Sequence, residues 1–584
     1  MRKTLILSAI YTVSALVGDV DSQEFRSEFT FATMADGVEI ALAVGYPRAY
    51  DPAEPAAKWP AVLEMHGYPD STIPQSPAAF GDHYVTVRAS VRGAGASGGA
   101  IEAISLQNGL DGHEIIENWI VKQPWSNGRV ALHGHSWPGL TALMIAATDP
   151  PHLSAVAISG VFDDVYRDIG RIGGIRNAGF PADWMANLYR PTGPFGSGEA
   201  ARQARGLSHD EYERIVASRP EWNLAEELFW KSMISHEYEP AFAQASPGHF
   251  AAGVRAPIHI VHAYQDEQTG ASGVWLWRAI ADDVPRRLVL TNGDHGEVGR
   301  FARERRQWLD YWTLDEQHGS DFTDPERRVQ VYFETPRDSG EINAPYVSSD
   351  FPLPETVWTR FYCREGESLS REPPPAQASG GDSYRVLFGA QDGQWDGVRY
   401  LLPFDQPTAL CGPIAAHLWV TCDTIDTDLF VAIADVGPDG AVQPLQRGLL
   451  RASHRAIDAE RSVSAEVDGQ PARIRPRHTH RNLEPLVPGE PYLLEVEVFP
   501  VGHVFRPGHQ LALWISQPPQ ADPVTRHPDG RPAYRYESAP PPAQVTILRG
   551  GQHASSVVLP LLPVLPPVGE TPPPPGAQAG IYVR

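Results

Sequence analysis

The chain has 584 residues, a hydrophobic fraction of 42%, a charged fraction of 20% and a formal net charge of −23. This is ordinary globular usage, which excludes a disordered chain or a coiled coil. The acidic balance argues against general affinity for nucleic acid or anionic lipid, because both are polyanions. At about 150 residues per domain, the length has room for three or four domains.

The first segment, MRKTLILSAIYTVSALVGDVDSQ, places Arg2 and Lys3 ahead of a mostly apolar stretch, with small residues at Ser14, Ala15 and Gly18. That charge order is the pattern of a secretory signal, so residues 1–22 are expected to be a signal peptide or an N-terminal extension. A secreted or periplasmic location follows from it, with a cytoplasmic one as the alternative. Beyond this segment no apolar run approaches the ~20 residues of a spanning helix, so no membrane span is expected. Cys363, Cys411 and Cys422 are too few for a disulfide framework. One bridge, Cys411 to Cys422, is conceivable, but three buried thiols acting as small hydrophobes are the preferred reading.

From Phe25 to about residue 100 the chain reads as short β-type runs separated by turns, among them WPAVLEMHGYPD and DHYVTVRASVRG. From Gly109 onward, helical spacing puts Ile115, Ile116, Trp119 and Ile120 on one face. RVALHGHS then reads as a buried strand, PGLTALMIAATDP as an apolar helix and LSAVAISGVF as another buried strand. This alternation predicts a parallel sheet covered on both faces. Residues 164–250 break the rhythm with polar, aromatic and helical stretches and read as a helical insertion over the sheet. The strand–helix rhythm resumes with APIHIVHAYQD, VWLWRAIADDV and RRLVLTNGDH, followed by an amphipathic helix in ARERRQWLDYWTLDE. After about Asp324, alternating runs such as VQVYFET, TDLFVAIADV and HQLALWISQ predict an antiparallel β-sandwich. The last stretch is Pro-rich.

The chemistry centres on Gly134-His135-Ser136-Trp137-Pro138-Gly139. A Ser between a buried strand and an apolar helix has the context of a nucleophile elbow. Gly134 lets the tight turn close, and the helix N-terminus aims its positive end at a developing oxyanion. The Trp137 N–H is the first oxyanion donor. The usual pattern has Gly where this chain has Pro138, and Pro is tolerated in a first helical turn. A Ser hydroxyl needs a base and an orienting acid, in the chain order Ser, Asp/Glu, His. Asp266 follows one buried strand and His295 the next, both at the sheet edge that carries Ser136. Asp294 and Glu267 are competing acids. His135 is too close in sequence to Ser136 to serve as its base, and His262 reads as a core residue. Tyr68, in His66-Gly67-Tyr68-Pro69 after an earlier strand, is the candidate second oxyanion residue, with simple packing as its alternative. No metal-ligand spacing stands out, and no cofactor or metal is expected.

With these residues assembled, the chain resembles the X-Pro dipeptidyl-peptidase/cocaine-esterase-like family of serine hydrolases. The resemblance rests on MADGVEIALAVGYP, VRGAGASGG, DGHEIIENWIVKQPWSNGRVALHGHSWPG, DTIDTDLFVAIADVGPDG, GLLRASHR, PLVPGEPY and FRPGHQLAL. It implies an α/β-hydrolase core (23–163 and 251–322), a helical cap (164–250) and a jelly-roll domain (323–562), to which composition adds the Pro-rich tail (563–584). It also implies that the Trp137 N–H and the Tyr68 hydroxyl bind the oxyanion. The family usually has Tyr where this chain has Trp137, and often Asp where it has Ser90. Three functions follow. The first is a carboxylic-ester hydrolase working through an acyl-enzyme. The second is an amide or peptide hydrolase, either an X-Pro dipeptidyl peptidase or an α-amino-acid ester/β-lactam acylase. That reading requires a carboxylate for a substrate ammonium; Asp164, Asp168 and Glu267 are the candidates, with Asp163 beside them. The third is a non-catalytic jelly-roll binding protein, which predicts a damaged triad. The partner expected is a small-molecule ester or amide, and a homo-oligomer is compatible with the sequence.

Overall fold

The computed structural model describes residues 25–54, 56–189, 208–217, 219–220, 226–319, 321–333, 344–387, 397–525, 527 and 530–567. The expected signal segment, and most of the Pro-rich tail, lie outside the described residues. Ten strands form the first sheet. β1 (Ser27–Thr33), β2 (Glu39–Gly45), β4 (Val85–Ser90), β3 (Trp59–His66), β5 (Ser126–His135) and β6 (Leu153–Ser159) are followed by strands 258–263, 286–291, 329–332 and 346–348. Pairing is parallel from β4 through strand 329–332 and antiparallel at both edges.

Side-chain alternation explains why the central strands read as continuous apolar runs. Leu63, Leu132, Val156 and Ile158 face a cluster that includes Leu140, Leu143 and Met144 of helix α2 (Trp137–Ala146). Val62, Ala131, Ala155 and Ala157 face Trp308 and Leu309 of helix 302–314 on the opposite side. Both faces are therefore covered, as parallel sheets require. Every residue of α2 is buried, which matches its lack of a polar stripe. Helix α1 (Leu106–Glu114) begins before the expected Gly109, because the Ser105 side chain caps it by accepting the Asn108 N–H. It then widens into a π turn over Ile115–Trp119. VWLWRAIADDV forms only short turns at 272–275 and 276–279.

The insertion carries helix α3 (Phe180–Leu188) and helices 209–217 and 228–234. The C-terminal half is all β. Strands 408–422 and 492–505 pair along their lengths, and strand 556–562 joins 408–422 to 357–364. The three cysteines are buried and free, with no bridge between Cys411 and Cys422.

The two halves share one core. The main apolar cluster runs from the first sheet into Phe430, Leu449, Phe499, Trp514, Tyr534 and Tyr536. Strand 536–537 pairs with strand 175–177 of the insertion, and a Cβ on Gly173 would stand 1.9 Å from the Leu449 carbonyl oxygen. Among the described residues, no helix is long and apolar enough to cross a membrane. A chain truncated to residues 1–320 should therefore expose this shared core and lose turnover. A soluble, fully active truncation would contradict the shared core.

Candidate active site

β5 delivers Ser136 into a backbone conformation few L-residues adopt, φ 63° and ψ −128°. Such strain costs on the order of 1–3 kcal/mol and persists only where its surroundings enforce it. Here the Ser136 N–H donates to the Ser159 carbonyl at 2.9 Å, and its carbonyl accepts the Leu140 N–H at 2.9 Å. A Cβ on Gly134 would lie 2.3 Å from the Pro138 carbonyl carbon, so only glycine lets the turn close. Trp137 opens the helix with Pro138 behind it in the first turn.

The two loops beyond strands 258–263 and 286–291 meet beside this turn. His295 Nδ1 donates to Asp266 Oδ2 at 2.7 Å, with both side chains buried. Asp266 also accepts the Gln268 and Thr269 N–H groups at 2.8 Å each and the Thr269 hydroxyl at 2.7 Å. Burial alone would raise its carboxyl, but the His295 charge and these bonds hold it well below the usual carboxylate range. Burial alone would likewise lower His295; the charge and hydrogen bond of Asp266 prevail and raise it. The other ring nitrogen, Nε2, is buried without a hydrogen-bond partner among the described residues. The His295 ring lies 4.3 Å from that of His135, the residue before Ser136.

Tyr68 follows β3. Its N–H donates to His66 Nδ1 at 3.1 Å, and its ring meets Trp137 edge-on at 4.9 Å. Its hydroxyl accepts the Trp184 indole N–H at 3.1 Å, so α3 of the insertion reaches down to this residue. Gly67 makes room for Trp137, since a Cβ there would stand 2.2 Å from the indole Cη2.

The acids expected as ammonium anchors are committed to the fold instead. Asp164 is buried, bonds Arg167 at 2.6 Å and accepts the N–H groups of Tyr166 and Arg167. Asp168 is buried against Arg477 at 3.2 Å and accepts the Asp163 and Asp164 N–H groups; burial pushes it up to about 6 despite that arginine. Asp163 holds Arg475 and Arg477. Glu267 accepts the His295 N–H at 2.7 Å and the Gln268 amide at 3.2 Å. Burial, then the Asp266 charge, raise it. It shapes the histidine loop and is not directed at solvent.

Sequence reasoning missed Trp184, Thr269, Ser159 and Arg305. Nothing in the polar insertion marked Trp184 as the partner of Tyr68. Thr269, three residues after Asp266, was findable as a side chain able to cap an acid in its own loop.

Fold and site together define a serine hydrolase of the α/β-hydrolase type. A family model described as X-Pro dipeptidyl-peptidase (S15 family) matches residues 36–297, and one for the X-Pro dipeptidyl-peptidase C-terminal non-catalytic domain matches 310–558. The chain belongs to this X-Pro dipeptidyl-peptidase and cocaine-esterase-like family. It is similar to a Mycobacterium bovis protein whose name proposes a serine esterase, at 26% identity over 92% of this chain and 95% of that one. It is also similar to the cocaine esterase of a Rhodococcus species, at 24% identity over 82% and 88%. A CocE/NonD family hydrolase from Staphylococcus aureus shares the fold, with a TM-score of 0.73, 21% identity and coverage of 92% and 94%. An α-amino acid ester hydrolase does so at 0.68, with 17% identity and coverage of 96% and 100%. The family acts on small-molecule ester or peptide substrates.

A base must be neutral to take a proton, and the Asp266 contact keeps His295 protonated to higher pH. The acid limb of kcat/KM should therefore have its midpoint above about 6.5, the ordinary imidazole value. Asp266→Asn should move that midpoint downward and cost roughly 10⁴ in kcat. A midpoint that Asp266→Asn leaves in place would sink the assignment of the limb to this pair.

Proposed function

We propose that the chain is a carboxylic-ester hydrolase in which Ser136 is the nucleophile, His295 the general base and Asp266 its orienting acid. The observation that carries this reading is the 2.7 Å Asp266–His295 contact beside a strained elbow serine, with His295 Nε2 left without a partner among the described residues. His295 takes the Ser136 proton as the hydroxyl oxygen attacks the ester carbonyl. It returns that proton to the departing alcohol, and water then releases the acid by the same route. Asp266 fixes the Nε2-accepting tautomer and stabilises the imidazolium.

The developing oxyanion is received by the Trp137 N–H and the Tyr68 hydroxyl. Because the Tyr68 oxygen accepts from Trp184, its own proton is oriented away from that indole. The complete Asp–His arrangement disfavours the binding-protein reading. The peptidase and α-amino-acid acylase readings require an anchor for an ammonium, and Asp164, Asp168 and Glu267 are each held by internal donors. The esterase names of the two curated relatives point the same way.

Ser136→Ala should fold normally, take no fluorophosphonate label and lose turnover of a p-nitrophenyl ester; retained turnover would place the nucleophile elsewhere. In the wild type, an X-Pro anilide should be cleaved far more slowly than the ester. A preference for the anilide would overturn the ester reading. Tyr68→Phe should lower kcat by about 10²–10³, the scale for one oxyanion donor. An unchanged kcat would reduce Tyr68 to packing.

A further inference from the structure

His135 is not a base for Ser136, yet it is built into the site with unusual care. Its ring lies 4.3 Å from that of His295 at 39°. Both rings rest over Gly160, whose φ is +59°. A Cβ there would stand 2.7 Å from His295 Cε1 and 2.9 Å from His135 Cε1, so no other residue leaves room for the pair. His135 Nδ1 meets the Ser159 hydroxyl at 3.1 Å, and that hydroxyl receives an N–H of Arg305 at 2.7 Å.

A guanidinium has only donors, so the Ser159 oxygen accepts from Arg305, and the same hydroxyl links that cation to His135 Nδ1. Protonating the His135 ring would put a second cation one hydroxyl away from Arg305 and beside the imidazolium that His295 becomes. Arg305 is itself buried, and among the described residues its Nε has no hydrogen-bond partner while its guanidinium donates to Ser159. The titratable or charged groups acting on His135 are His295, Arg305, Asp266 and His133. Burial of its inner edge, then His295 and Arg305, outweigh Asp266 and hold it well below the ordinary imidazole range. Two imidazoles in contact are thereby driven in opposite directions, the arrangement that separates an active base from a spectator.

We propose that His135, kept uncharged by the Ser159–Arg305 relay, is a positioning residue: a flat neutral shelf that fixes the His295 ring and leaves the transferred proton to His295 alone. The proposal rests on His295 being the base. The shelf acts on the reacting geometry and not on substrate affinity, so its removal is read in kcat.

The test is steady-state kinetics on purified full-length variants with a p-nitrophenyl ester, with melting temperature as the folding control. His135→Ala is expected to lower kcat about tenfold with KM within twofold. His135→Phe, a neutral ring of similar width, is expected to recover most of that loss. Arg305→Met removes the charge that holds His135 neutral, and the acid limb of kcat/KM should steepen from one proton toward two. Full kcat in His135→Ala overturns the shelf, and so does a folded His135→Phe as impaired as the alanine variant. A one-proton limb in Arg305→Met overturns the relay. His295→Ala separates this from the reading beneath it. Loss of fluorophosphonate labelling there, with full turnover in His135→Ala, defeats the shelf alone. Undiminished labelling in His295→Ala defeats the base assignment itself.

Discussion

The structure depends on one buried contact, the Asp266–His295 hydrogen bond. Taking an aspartate out of water is costly unless donors replace the solvent. Here the replacement is the imidazole together with two backbone N–H groups and the Thr269 hydroxyl. That donor set lets a carboxylate remain ionised inside a protein and raise the proton affinity of the ring beside it. A neutral residue at 266 would leave a correctly placed imidazole with the wrong electrostatics.

The loops that carry this pair do not stand alone. The Gln265 amide donates to the Leu445 carbonyl at 3.2 Å, and the Asn292 amide donates to the Gly502 carbonyl at 2.8 Å. Gln446 returns the contact by donating to the Tyr264 carbonyl at 2.7 Å. The all-β half thus grips both loops next to their functional residues. The same half supplies Arg475 and Arg477 to Asp163 and Asp168. Acids that look, on the chain, like a cluster at the mouth of a pocket are the core's side of a buried interdomain clamp. Removing one member would leave an uncompensated charge indoors, so their cost and their use are both structural.

Much of this was legible because it is local. Hydrophobic period separates most of the parallel-sheet half from the sandwich half, and a glycine–serine turn between strand and helix marks the elbow. VQVYFET, expected in the antiparallel sandwich, instead supplies strand 329–332, which pairs parallel to strand 286–291 in the first sheet, a long-range pairing that alternation alone does not reveal. Asp266 and His295 could be chosen because each follows a buried strand at the same sheet edge. What could not be read were the partnerships between distant residues. Asp168 and Arg477 are 309 positions apart, and Trp184 reaches Tyr68 across 116. No periodicity encodes such pairings. His135 shows the same limit. Its adjacency to Ser136 excluded it as a base, but its role depends on Ser159, Arg305 and Gly160, which only the fold brings together. The start of α1 was misplaced for a different reason: a serine cap outweighed the apolar spacing that begins later.

The central claim is that Ser136 is made nucleophilic by the buried His295–Asp266 pair. The most direct measurement is to trap wild-type enzyme with a fluorophosphonate, digest it and map the modified peptide by mass spectrometry. The account predicts a single stoichiometric adduct on Ser136, in the peptide spanning strand β5 and helix α2. An adduct on a different residue, or none from folded protein, would contradict it.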